Sequence, residues 1–279
     1  MSQISRRNVL KTGFATLAAA AIITPEGFSA TPQEIRPKKP GEKKAIFLGG
    51  DQLHNFMAQE PALRSLCERQ GYKFYSLHDS RYLIPAFIND ADILMIERWD
   101  GGVAGTVSGP IYVDGPTPDD FLSEKLADTI IENVTNRGMG FLNIHCMIST
   151  AFEREKLMDF LGVKGIIHGP LQPVHVHSFN SSHPITKDIK PFDLPLDENF
   201  GAKLYRSDVT PLFETTGFWD KRNDFGGWCL EKGKGRVAGL TAGHTYFAFR
   251  DRNYLNLFWR SIQWVTKNEV TDYSRNARG

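Results

Sequence analysis

The sequence predicts an α/β protein of three layers, an open and mostly parallel sheet with helices on both faces. Three observations predict it. Short apolar runs alternate with helix-length amphipathic segments through the first half of the chain. One of those runs, Ala91 to Ile96, is almost continuously apolar, as suits a central strand buried on both faces. Hydrophobic residues at 41% against 23% charged, over 279 residues, supply one substantial core.

From the amino terminus, Arg6-Arg7 precedes a mild apolar run, Phe14 to Ile23, too short to span a bilayer comfortably. This pattern resembles a twin-arginine export signal over residues 1–30; the competing reading is an anchoring or amphipathic helix. It predicts a bacterial protein that is exported or periplasmic. Residues 31–43, rich in Pro, Lys and Glu, read as a linker. The folded domain is expected over 44–268, with a tail over 269–279.

Within the domain, Ala45–Leu48 reads as a strand ending in Gly49-Gly50-Asp51. Phe56, Leu63 and Leu66 then recur at helical spacing over Asn55–Gln70, before Gly71. Lys73–Leu77 and Ala91–Ile96 are the next strands. Asp119–Asn136 reads as a helix stopped by Gly138, and Gly140–Ile144 as a strand leading into His145. After Phe160 the texture turns to strands and turns: Pro173–Phe179, Ala202–Val209, Gly226–Leu230 and Arg236–Thr241, the last set up by the tight turn Gly233-Lys234-Gly235. A helix over Asn253–Val265 closes the domain, its apolar side carried by Leu255, Phe258, Trp259 and Ile262.

Charge and cysteine usage remove whole classes of function. The formal net charge is +1; loss of residues 1–30 would remove Arg6, Arg7 and Lys11 against Glu26, leaving 30 basic and 31 acidic side chains. Neither balance gives an electrostatic footprint for nucleic acid. Three widely spaced cysteines, Cys67, Cys146 and Cys229, encode neither a disulfide framework nor a CxxC metal site.

Open α/β sheets place their sites at the carboxyl ends of parallel strands. His54 follows the first strand and its Gly-Gly-Asp turn, His145 follows the fourth, and His244 follows Arg236–Thr241. Glu198 stands in the polar segment Leu196-Asp197-Glu198-Asn199 between strand-like runs. Histidines and a carboxylate in one cleft can perform acid/base chemistry near neutral pH or bind a divalent metal, with His54, His145 and His244 as candidate ligands. Any one of them read alone is an ordinary surface or hydrogen-bonding histidine. His175-Val176-His177 puts two imidazoles on one face of a strand, a weaker candidate metal pair. His78 and His168 have no context that distinguishes them. Trp99, Asp100, Trp219 and Trp228 offer stacking and polar groups for a sugar, although tryptophan is as common in cores. Cys146 stands at a strand end without the small neighbours of a nucleophile elbow, which favours a buried structural thiol over an amidotransferase or protease nucleophile.

The run His183-Pro184-Ile185-Thr186, Phe192, Asp197-Glu198, Gly233-Lys234-Gly235-Arg236-Val237, Gly243-His244 and Trp264, with His54 and His145 at strand ends, resembles the ThuA-like (trehalose utilisation) family. That resemblance covers Lys44 to Val265. It implies a glutamine amidotransferase-like or flavodoxin-like fold without the cysteine nucleophile. It also implies a role in glycoside catabolism, in which sugars oxidised at the 3-position are processed. Carried onto this chain, the family's polar cleft maps to His54, His145, Glu198 and His244 as catalytic residues; Trp99 and Asp100 stand as substrate-binding candidates on their side-chain chemistry alone. Two departures stand out: the strand before His145 lacks the glycine-rich approach that many members show, and His175 and His177 are additions without a place in the pattern. The expected function is an exported enzyme converting 3-keto-glycosides or 3-keto-disaccharides by acid/base chemistry, with a divalent metal as the cofactor to test. The alternative is a non-catalytic carbohydrate- or protein-binding module. The expected partner is a small carbohydrate, with no nucleic acid, no membrane span in the mature form, and self-association left open.

Overall fold

The structure, a computed structural model, describes residues 37–51, 53–78, 80–99, 122–150 and 154–273. The export signal, most of the linker and Asp100 lie outside the described residues. Among those described, nine strands form one sheet in the order β2-β1-β3-β4-β9-β8-β7-β5-β6. β1 (Lys43–Leu48), β2 (Tyr72–Leu77), β3 (Ile93–Ile96), β4 (Gly140–Ile144) and β9 (Gly235–Leu240) pair in parallel. β5 (Val163–His177), β6 (Phe192–Leu204), β7 (Thr210–Gly217) and β8 (Asn223–Lys232) join them through antiparallel pairings.

The α/β class holds, but the expectation of a mostly parallel sheet is corrected: four pairings are parallel and four antiparallel. Parallel neighbours need long crossover connections, whereas β7 to β8 and β8 to β9 are joined by short turns that allow only antiparallel pairing. The strand expected over Ala202–Val209 is also displaced, because β6 ends at Leu204 and β7 begins at Thr210.

Strand alternation assigns the two faces. Ile46, Leu48, Leu94, Ile96 and Phe141 point into one apolar layer, where they meet α2 (Pro85–Ile88), α3 (Glu124–Glu132), α4 (Met147–Thr150) and α5 (Glu155–Leu161). Ala45, Phe47, Ile93, Met95, Leu142 and Ile144 point into the other, under α1 (Phe56–Glu68) and α6 (Arg252–Val265). Ser123 caps α3 through a hydrogen bond accepted from the Leu126 N–H, and Asp251 caps α6 by accepting from Asn253 and Tyr254. α3 continues as one π-helical turn over Asn133–Arg137 and stops at Gly138, which is left-handed at φ +94°.

β5 pairs with β7 only over Val174–His177; its first half pairs with β6 alone and changes register around His168 and again before Val174. Such bulges bend a ribbon and re-aim its side chains. The β5–β6 ribbon curls back until β6 contacts β8, and Glu198 thereby reaches the carboxyl ends of the parallel strands. No helix among the described residues is long and apolar enough to cross a membrane.

Candidate metal centre

Four neighbouring parallel strands deliver the site. After β1 the chain turns through Gly49-Gly50-Asp51 to His54. The Asp51 carboxylate closes that turn by accepting from the backbone N–H groups of Leu53 at 2.8 Å and His54 at 3.0 Å. It also accepts from the backbone N–H of Trp99, which follows β3, at 2.7 Å. The His54 Nδ1 lies 2.7 Å from both Asp51 oxygens. An ionised carboxylate only accepts, so Nδ1 carries the proton and Nε2 is left to bind.

His145 stands directly after β4 at φ 45°, a left-handed conformation that costs a residue with a Cβ on the order of 1 kcal/mol. Its Nδ1 is 2.6 Å from the Thr241 carbonyl and must donate to it, which turns Nε2 of this fully buried side chain toward the centre. After β9, Gly243 (φ +146°) adopts a backbone that a side chain would strain, and His244 follows. Both of their N–H groups are tied at 3.2 Å to Asp197 Oδ1 on β6.

The three rings meet edge to face, with centroids 5.0 Å apart for His54 and His145, 4.9 Å for His54 and His244, and 5.4 Å for His145 and His244. Each offers one nitrogen to a group whose ligand atoms all lie within 4.8 Å of one another. Glu198 Oε2 is 3.3 Å from both His145 Nε2 and His244 Nδ1, yet neither nitrogen has a hydrogen-bond partner among the described residues. Two buried imidazole nitrogens facing one carboxylate are satisfied by a proton held between them or by a cation. Three histidine ligands with positions left open are the arrangement of catalytic zinc sites. Ligand histidines in such sites give their other N–H to a carboxylate or a backbone carbonyl, as His54 gives to Asp51 and His145 to Thr241. The residues present therefore fit a divalent transition metal.

The charges are set by burial and by one another. Burial works to raise Glu198, but the close approach of His145 and His244, and then of His168, outweighs it and holds the carboxyl well below the usual range. Burial likewise opposes the upward shift of His244, which Glu198, Asp197 and Asp51 produce. His54 is pushed down by burial and by the two neighbouring histidines, against the pull of Asp51. Low basicity at His54 favours the neutral form a metal needs.

Every sequence candidate among His54, His145, Glu198 and His244 reaches this centre. His175 and His177 do not: their rings stack at 5.0 Å on the antiparallel half, bound to Asp193 and to Ser178 and Thr216. Trp99 touches the site through its backbone while its ring packs on the apolar layer, and Trp228 is fully buried with its indole N–H on the Leu161 carbonyl. Trp219 is exposed on the β7–β8 turn. Cys146 is buried 3.6 Å from His54 Nδ1 and 3.7 Å from Glu97 Oε1; burial and then Glu97 push its thiol well up, so it is not a thiolate nucleophile.

Four residues escaped the sequence reading of the site. Glu97 is fully buried beside Cys146 and raised by burial and by Asp51. It is the first residue after β3, so the strand-end rule that selected His145 also selects it. Asp51 and Asp197 orient His54 and His244, and His168 lies 3.2 Å from Glu198 Oε1.

This fold and site define a class: α/β domains with a histidine and carboxylate centre at the carboxyl edge of the parallel strands. Within that class the chain belongs to the ThuA, or trehalose utilisation, family, whose model matches residues 53–265. Among solved structures, a ThuA-like protein from Parabacteroides merdae is similar at a TM-score of 0.61 and 14% identity, covering 83% of this chain and 92% of that one. A ThuA-like protein from Bacteroides uniformis is similar at 0.56 and 16% identity, covering 88% and 98%. A β-galactosidase from Bacillus circulans sp. alkalophilus matches at 0.51 and 8% identity, over 82% of this chain but 32% of that one. At these identities the likeness is one of fold. No curated protein matches the chain in sequence.

Proposed function

We propose that the protein is an exported carbohydrate-processing enzyme that cleaves or otherwise converts 3-keto-glycosides or 3-keto-disaccharides at a divalent metal held by His54, His145 and His244. The observation that carries the proposal is the convergence of three histidine nitrogens, two of them oriented from behind, beside one ionised carboxylate. Membership of a family described by trehalose utilisation supports a carbohydrate substrate. The Arg6-Arg7 pair before a mild apolar run supports export.

A ketone at C3 acidifies the hydrogen at C2. Glu198, an ionised carboxylate at the mouth of the centre, takes that proton. A bound divalent ion would polarise the ketone oxygen and stabilise the charge that develops there. Electrons from the C2–H bond then expel the oxygen substituent from C1, and addition of water across C1 and C2 completes hydrolysis. Asp51 and Thr241 act by fixing the ring orientations of His54 and His145.

The test is release of the C1 substituent from a 3-keto-glucoside, followed by chromatography with the metal-loaded protein. Release above the spontaneous rate, lost in His145→Ala and Glu198→Gln variants that keep the wild-type fold, is the expected result. Near wild-type release in both variants refutes the site. Sugar binding by calorimetry without conversion would establish a binding module instead.

A further inference from the structure

Elimination at C1 needs an acid for the departing oxygen as well as a base at C2, and the three metal-facing histidines cannot supply it while their free nitrogens are turned to a cation. We propose that His168 is that acid, a catalytic residue that protonates the C1 oxygen as it leaves. The inference rests on the keto-glycoside reading above.

The geometry sets His168 apart from the other histidines. It reaches the opposite oxygen of the carboxylate, Nδ1 standing 3.2 Å from Glu198 Oε1, while His145 and His244 face Oε2. Nδ1 also lies 2.8 Å from the Gly169 carbonyl and therefore keeps its proton, so in the protonated ring that acts as the acid the proton given up is the one on Nε2. The ring lies against Phe200 at 5.2 Å, the same phenyl ring that His145 meets edge-on at 5.1 Å. Its side chain is 47% exposed against 11% for Glu198, so His168 occupies the solvent side of the centre, where an aglycone must depart. The backbone was bent to put it there: β5 breaks register on both sides of His168, between Gly165 and His168 and between His168 and Leu171.

The balance is complete without an added reagent other than water. One proton passes from C2 to Glu198, the C1–O bond breaks as the C1=C2 bond forms and the ketone is retained, and one proton passes from His168 to the leaving oxygen. Glu198 then gives its proton to solvent, His168 Nε2 takes one back from solvent, and water adds across the new double bond.

The test compares two leaving groups in the metal-loaded protein. 4-Nitrophenyl 3-keto-glucoside departs as a stabilised phenolate and needs no acid, whereas methyl 3-keto-glucoside departs as an alkoxide and does. His168→Ala is expected to lower kcat on the methyl glycoside by about 10²–10⁴-fold, the usual contribution of a general acid, with little change on the nitrophenyl glycoside. Added imidazole should restore part of the loss on the methyl glycoside alone. His168→Asn serves as a second variant, and the metal content and melting temperature of both should match wild type. Equal loss on the two substrates, or loss on neither, overturns the assignment of His168 while leaving the keto-glycoside reading intact. If the wild-type protein releases neither aglycone, the reading itself fails and the assignment falls with it.

Discussion

Asp51→Asn isolates the contribution of an orienting group to the centre. The carboxylate makes three hydrogen bonds from backbone N–H groups at 2.7 to 3.0 Å and holds His54 Nδ1 at 2.7 Å from both oxygens. An amide keeps one oxygen. Its NH₂ group must then face either the Trp99 N–H or the Leu53 and His54 N–H groups, and in each case a donor meets a donor. The charge that strengthens Nε2 as a ligand is lost as well. Loss of such a partner lowers metal affinity by about 10- to 100-fold, which is roughly 1.4 to 2.7 kcal/mol. Calorimetric titration of the metal-stripped protein with zinc reads this directly, with His54→Ala as the benchmark for removing the ligand. The stability of the metal-free variant should be measured in parallel, because the broken turn costs stability by itself, about 1 to 3 kcal/mol for one unpaired buried donor. If zinc binds Asp51→Asn as tightly as wild type while stability falls, Asp51 is a turn anchor and the orienting role is refuted.

Three further outcomes are expected. Cys146→Ala should leave turnover of the keto-glucoside at the wild-type level, since the thiol is buried and protonated; loss of turnover with the fold intact would reinstate a cysteine nucleophile. Gly239→Ala should destabilise by about 1–3 kcal/mol, because the added Cβ would lie 2.2 Å from the buried Trp228 ring, and thermal unfolding should show a drop of several degrees. His183 is held down to about 4 by burial and by Arg236, from an ordinary value of 6.5. Between those values the unfolded chain binds more protons, so this contribution to stability is complete above pH 6.5 and is lost as the pH falls toward about 4. Urea midpoints should therefore fall less in His183→Asn than in wild type between about pH 7 and about pH 5; equal falls would contradict the assignment.

The parallel half was legible because its strands are short apolar runs and its connections carry helical spacing. β1, β3 and β4 lie where their sequences put them, and His54, His145 and His244 follow from where those strands and β9 end. The antiparallel half hid more. Glu198 lies inside β6, not between strands, with Asp197 and Asn199 fully buried at its sides. Three successive polar residues read as a loop, yet they stay buried because Asp197 accepts from Gly243 and His244 and Asn199 donates to Asp224. His168 gave no periodic signal for a similar reason, since a strand bulged on both sides of it has no alternation to follow. Glu97 was within reach, as the first polar residue past a fully apolar strand.

Proton exchange at C2 tests the central claim most directly. Methyl 3-keto-glucoside is incubated in D₂O with the metal-loaded protein, and the C2–H resonance is followed by NMR. The account predicts exchange into substrate or product faster than the spontaneous rate, lost in Glu198→Gln and in the metal-stripped protein. Release of methanol with the C2 proton fully retained would contradict it.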